Sequence, residues 1–130
     1  MTTLSTGHVL LYSGSPNEED EHRNSVGIML TKHAERSLLE WNPISERILT
    51  ARFQSRFQKV TIIQCYAPTN VAEWEKKEEF YGQLESEMLK VPKTDIVIVM
   101  GDFNAKVGKR KDGEEATMDQ HGCGERNENG

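Results

Sequence analysis

With 130 residues, the chain has room for one domain with a real core and is too short for two. Hydrophobic residues make up 35% and charged residues 28% at a mean hydropathy of −0.68, and the longest strongly apolar run, Ile96 to Met100, falls far short of the roughly 18 residues of a membrane span. The net charge of −5 counts against a protein that simply neutralises nucleic-acid phosphates, but not against a nuclease, whose site needs carboxylates.

In chain order, His8 to Tyr12 (HVLLY) reads as a short strand closed by the turn sequence Ser13-Gly14-Ser15-Pro16. Asn17 to Asn24 is acidic and polar, an expected exposed loop, and His22 within it has no zinc-type spacing. Ser25 to Thr31 has the content of a buried strand, with Gly27 marking a bulge or a close backbone approach. Lys32 to Trp41 carries Ala34, Leu38 and Trp41 at helical spacing, limited by Pro43. Ile44 to Gln54 alternates, Ile48, Thr50 and Arg52 against Leu49, Ala51 and Phe53, as a half-buried strand does. A hairpin turn at Ser55 to Gln58 leads into a strong strand, Lys59 to Tyr66, that ends at Ala67-Pro68. A helix follows. Asn70 and Glu73 have the spacing of a capping box, Trp74, Phe80, Tyr81, Leu84, Met88 and Val91 supply an apolar face, and Pro92 stops it. The two tryptophans, Trp41 and Trp74, are expected to line the core or a groove. Asp95 to Met100 is near-continuously apolar, as in a strand covered on both faces. From Lys106 onward the chain is Gly-rich, charged and without periodicity. The expected organisation is a domain body over 8–108 and a flexible loop or tail over 109–130.

Four strands, a helix and a further strand suggest an α/β sandwich with a mixed, mostly antiparallel sheet rather than a parallel Rossmann sheet. Cys65 and Cys123 read as two unrelated free thiols. Met1 to Gly7 has neither a basic nor an apolar leader region, so the expected compartment is intracellular.

The chemistry concentrates after the most apolar strand. In Gly101-Asp102-Phe103-Asn104, residues two apart project to one side, so Asp102 and Asn104 would stand together at the carboxyl edge of a sheet and Phe103 would turn into the core. An acid beside an amide can orient and deprotonate a water while the amide holds an oxygen. The competing local role is an Asx-type turn that satisfies backbone groups. Tyr66 also ends a buried strand, where its phenol can reach a phosphate oxygen or simply sit at the wet rim of the core. Arg47, Arg52, Arg56 and Lys59 read as a basic cluster across a hairpin, either solvated or touching phosphates. Lys106, Lys109, Arg110 and Lys111 follow the acid–amide pair closely enough to do the same.

Together, QCYAPTN (Gln64 to Asn70), a helix, and IVIVMGDFNAKVG (Ile96 to Gly108) resemble two adjacent motifs of the endonuclease/exonuclease/phosphatase superfamily, to which the AP endonucleases belong. ISERILTARF (Ile44 to Phe53) and HGCGERNENG (His121 to Gly130) look like the endonuclease domain of RTE-type non-LTR retrotransposons. The resemblance runs from about His8 to Gly130. It implies a four-layer α/β sandwich of the DNase I type that hydrolyses phosphodiesters with Mg²⁺, or Mn²⁺ in its place. Asp102 would be the base or water-orienting acid, Asn104 would hold the scissile phosphate, Tyr66 would hydrogen-bond it, and Asn70 and Lys106 would contact phosphate or DNA. It further implies nicking of target DNA, a reverse transcriptase domain in a full-length relative, no membrane, and nuclear residence. The sequence departs from the family in carrying Thr69 before Asn70, in lacking the metal-binding Glu of the first strands, and in lacking the C-terminal Ser-Asp-His stretch. The expectation is a truncated or degenerate copy of the domain. The rival reading is a catalytically inactive relic or domesticated binding protein.

Overall fold

The computed structural model describes residues 1–14, 25–117, 121–122 and 124–130; Ser15-Pro16, the acidic stretch Asn17–Asn24 with His22, and Cys123 lie outside the described residues. The elements run β1 (Thr2–Thr3), β2 (Val9–Tyr12), β3 (Gly27–Leu30), α1 (Lys32–Ser37), β4 (Leu38–Ser45), β5 (Ile48–Gln54), β6 (Lys59–Tyr66), α2 (Trp74–Lys90) and β7 (Ile96–Asp102). A small antiparallel sheet has the order β1-β2-β3, and a larger one the order β4-β5-β6-β7. In the larger sheet β4, β5 and β6 pair antiparallel and β7 pairs parallel to β6. A parallel neighbour requires a crossover, and α2 supplies it. The architecture is a partial α/β sandwich with mostly antiparallel sheets.

Alternation on the middle strands builds two cores. Leu49 and Ala51 of β5 pack against Val9, Leu11, Ile28 and Leu30 of the small sheet. Ile48, with Ile63 and Cys65 of β6, packs against Phe80 and Leu84 of α2. β5 and β6 are thus covered on both faces, one by the small sheet and one by the helix. Leu11, Ile48, Leu49 and Ile63 are wholly buried, each stabilising the fold by about 1.5–3 kcal/mol.

Four expectations need correcting. First, α1 covers only Lys32–Ser37, capped by Thr31, whose Oγ1 accepts from the Ala34 N–H at 3.2 Å. Leu38 and Trp41, read as part of a helical stripe, lie on β4, where Trp41 pairs with Ala51. Pairing with β5 overrides a helical spacing that only six residues could express. Pro43 sits inside β4, which tolerates it as the outer strand, with a register shift just beyond it. Ile44 therefore belongs to β4, which ends at Ser45, and Ile48 begins β5, rather than both belonging to one strand.

Second, the capping box does not form. A turn from the Ala72 N–H to the Thr69 carbonyl (3.0 Å) delays the helix, Glu73 becomes the N-cap, and its side chain makes no capping bond. Third, the buried face of α2 is Lys77, Phe80 and Leu84; Trp74, at the first turn, is 66% exposed and packs into neither core. Fourth, β7 is an edge strand, not a doubly covered one. Ile96, Val97, Ile98 and Met100 are each at least 39% exposed, because the small sheet does not extend over them and only Val99 and Phe103 reach the core under α2.

After Asp102 the described residues form no helix or strand, as the composition implied. The segment nonetheless folds back on the body: Arg126 grips Glu114 with two bonds of 2.9 Å and its Nε donates to the Val107 carbonyl at 2.8 Å. One buried polar cluster fixes the start of β7. Arg52 on β5 donates to the Asp95 carboxylate at 2.7 and 2.9 Å, and Thr61 on β6 donates to it at 2.9 Å. These bonds, the Arg52 guanidinium foremost, hold the Asp95 carboxyl below the usual carboxylate range against the opposing effect of burial. Among the described residues no helix is long and apolar enough to cross a membrane.

Candidate active site

The candidate site lies where β6 and β7 end together. Their parallel register sets Tyr66 directly against Asp102, and the Ala67 N–H donates to the Asp102 carbonyl at 2.8 Å, carrying the ladder one step past the strands. Registered partners in a parallel pair point to the same face, so the phenol and the carboxylate belong to one side of the sheet. Gly101 permits the approach. Its φ is +145°, and a Cβ there would stand 1.8 Å from the Cys65 carbonyl oxygen. No other residue fits between the strands at this point.

Beyond Gly101 the loop turns sharply. Asp102 is exposed, and its Oδ1 accepts from the Asn104 N–H at 2.8 Å. Asn104 itself is left-handed (φ 48°), a conformation asparagine adopts more readily than most residues. Its Nδ2 donates to the Ala67 carbonyl at 2.8 Å, binding the β7 loop to the β6 loop. The Asx-type turn is therefore present, and it coexists with an exposed carboxylate; among the described residues only Oδ1 of Asp102 is engaged. Phe103 points the opposite way and packs beneath α2, as the spacing implied.

Tyr66 is half-buried between the sheets. Arg47, in the turn between β4 and β5, lies over its ring with the guanidinium carbon 5.3 Å from the centroid, close enough for a cation–π attraction. Arg47 Nη1 donates to the Tyr66 carbonyl at 3.1 Å, and the Tyr66 N–H donates to the Arg47 carbonyl at 2.9 Å. Arg47 in the β4–β5 turn, Tyr66 at the end of β6 and Asp102 at the end of β7 thus stand along one edge. An open depression of about 600 Å³ adjoins Asp102, bordered by Tyr81, Phe103, Val107 and Asn129; Arg47 and Tyr66 do not line it.

The basic cluster read across the hairpin does not exist as one patch. Arg47 stands at the candidate site, Arg52 is committed to Asp95, and Arg56 lies over Phe57 at the far tip of the β5–β6 hairpin, with Lys59 exposed beside it. Strand pairing separates them, since β5 carries its two ends to opposite ends of the sheet. Lys106 is exposed next to the Asp102 loop. Asn70 is used internally: its carbonyl accepts from Lys77 Nζ at 2.7 Å and its Oδ1 accepts from the Glu128 N–H at 3.2 Å. Lys77, buried on α2, also reaches Glu128 at 3.0 Å, so one amine ties the loop after β6 to the last residues of the chain. Neither Lys77 nor the placement of Arg47 is signalled locally in the sequence. Cys65 lies directly below the site, free and wholly buried; burial pushes its thiol up to about 11, which leaves it protonated and inert near neutrality.

Chemically, the edge presents a hydrogen-bond acceptor with negative charge, an amide, a phenol and a guanidinium. Such a set can bind a phosphate and orient a water. Among the described residues no group of three or more His, Cys, Asp or Glu side chains is placed to hold a metal ion.

No protein-family model matches the chain. The chain is similar to craniofacial development protein 2 of Bos taurus, 33% identical over 107 residues, which cover 82% of this chain and 18% of that protein. Craniofacial development protein 2 of Tragulus javanicus is 32% identical over 107 residues, with the same coverage of 82% and 18%. The chain therefore spans about a fifth of the length of these relatives.

Proposed function

We propose that the chain is part of a metal-dependent phosphodiesterase of the endonuclease/exonuclease/phosphatase superfamily, derived from a non-LTR retrotransposon, with DNA as its substrate. The observation that carries the reading is the β6–β7 register, which joins Tyr66 to Asp102 at one strand edge with Asn104 bonded between the two loops. Similarity to craniofacial development protein 2 over most of the chain supports it. Asp102 orients the attacking water and takes its proton. Tyr66 and the neighbouring Arg47 bind non-bridging phosphate oxygens, where fixed donors and positive charge stabilise the developing negative charge. The remaining N–H of the Asn104 amide serves the same phosphate. The depression beside Asp102 is open rather than enclosed, which suits a segment of polymer better than a small phosphoester held on all sides.

Mg²⁺, with Mn²⁺ as substitute, is the proposed cofactor; when bound it would supply Lewis-acid charge at the phosphate. Asp102 is the one site carboxylate that could face it. The described residues do not complete an oxygen-ligand cation site, so no step above is routed through the ion. A reverse transcriptase domain in a longer relative and residence in the nucleus belong to the same proposal.

Conversion of supercoiled plasmid to the nicked form in Mg²⁺ or Mn²⁺ tests the reading. Slow nicking is expected, abolished by EDTA and reduced about 100-fold or more by Asp102→Ala, the range for loss of a general base. Nicking that survives Asp102→Ala refutes the assigned roles. No nicking above background in either cation refutes an enzymatic role for this chain.

A further inference from the structure

The loop carrying Asp102 and Asn104 is not held by its own strand alone. The last residues of the chain close over it from a sequence distance of more than twenty positions. Asn127 Nδ2 donates to the Asn104 carbonyl at 2.9 Å, while Asn127 Oδ1 accepts from the Lys106 N–H at 2.9 Å and from the Gly130 N–H at 3.0 Å. The Asn127 N–H adds a bond to the Lys106 carbonyl at 3.0 Å. Asn129 does the same one step further in: its Nδ2 donates to the Pro68 carbonyl at 3.0 Å and lies 3.4 Å from the Asn104 carbonyl and 3.5 Å from that of Phe103. One side-chain amide thus bridges the loop after β6 and the loop after β7. Its Oδ1 is buried and, among the described residues, has no partner.

Burying an amide oxygen without a hydrogen bond is unfavourable. The Asn129 donor enters the gap between the Tyr66 and Asp102 loops. The contact also falls on the one strained point of the site, since Asn104 is the only non-glycine residue with positive φ among the described residues. A left-handed residue persists where its surroundings over-determine it, and three amides here, those of Asn104, Asn127 and Asn129, converge on two adjacent loops.

We infer that Asn127 and Asn129 are positioning residues: a clasp that fixes the left-handed geometry of Asn104, and through it the spacing of Asp102 from Tyr66. Their importance to catalysis rests on the proposed function; their effect on loop geometry does not. Substitutions separate the two atoms' roles. Asn127→Asp keeps the acceptor for Lys106 and Gly130 but loses the donor to Asn104. Asn129→Ala removes the bridge.

Amide hydrogen exchange and backbone NMR shifts of the full chain provide the test. In both variants, exchange at Asn104 is expected to rise about tenfold, the factor that one or two lost hydrogen bonds give, and the Asn104 shifts should leave their left-handed values. The amides of Leu49 and Ile63 in the core should keep wild-type protection. Asn104 exchange and shifts that stay at wild-type values in both variants overturn the inference. So does an equal loss of protection in core and loop, which marks the pair as ordinary stabilising groups. None of these signals requires catalysis, so a chain that fails to nick DNA counts against the proposed function alone.

Discussion

Gly101→Ala gives the sharpest test of how the fold makes the site. A Cβ at this position would lie 1.8 Å from the Cys65 carbonyl oxygen and 2.7 Å from its carbon, well inside the 3.0 Å below which real Cβ contacts essentially do not occur. β6 and β7 must separate by more than about 1 Å at this point, enough to stretch the 2.8 Å bond from the Ala67 N–H to the Asp102 carbonyl beyond hydrogen-bonding distance. The φ of +145° also becomes unfavourable, at about 1–3 kcal/mol. Two lost ladder bonds add about 1 kcal/mol each. The expected destabilisation is therefore about 3–5 kcal/mol, a large fraction of an ordinary domain's stability. Urea unfolding followed by circular dichroism measures it, and amide shifts of Tyr66 and Asp102 report whether the register has opened. Gly82→Ala is the matched control: Gly82 sits within α2 with nothing within 4 Å of its would-be Cβ, so that change should stabilise by about 0.5–1 kcal/mol. A Gly101→Ala variant that loses less than about 1 kcal/mol, with Tyr66 and Asp102 unmoved, would refute the claim that close strand approach at Gly101 assembles the site.

Three further outcomes follow from the packing and the ion pairs. Asp95→Asn leaves the Arg52 guanidinium without its counter-charge beneath α2, and the urea midpoint should fall clearly, whereas Glu40→Gln, which removes only the looser 3.8 Å contact to Arg52, should leave it nearly unchanged. The Cys65 thiol should resist an aromatic disulfide reagent until the chain unfolds. Because its folded value, about 11, lies above the ordinary 9.0, its contribution to stability is whole below pH 9 and is lost as pH rises toward 11, a window that alkaline unfolding of wild type against Cys65→Ser resolves. The Arg126 bonds hold the Glu114 carboxyl down at about 2 against an ordinary 4.5, so their contribution is present above pH 4.5 and is lost as pH falls toward 2; proteolysis of the segment after Lys106 by an acid-active protease should accelerate across that interval and not between pH 5 and 7.

Local features carried much of this architecture. β5 and β6 were legible as strands from their alternation and apolar run, but β5, expected to be half-buried, is covered on both faces because the small sheet packs on one side and α2 on the other. The turn of Phe103 into the core, opposite Asp102, follows from the same period. The acid–amide pair at a strand terminus was legible too, since Gly101 punctuates an apolar run and polar residues follow at once.

What the sequence could not settle depended on partners distant along the chain. Whether Leu38 and Trp41 belong to a helix or to β4 was decided by pairing with β5, and whether β7 is doubly covered was decided by the width of the small sheet. The register that sets Tyr66 against Asp102, the relocation of Arg47 to the site and of Arg52 to Asp95, and the closure by Asn127 and Asn129 have no local signature. Periodicity fixes which way a side chain points within its own strand. Which atom it meets is set by strand register and by hydrogen bonds between loops, and these exist only once the chain has closed on itself.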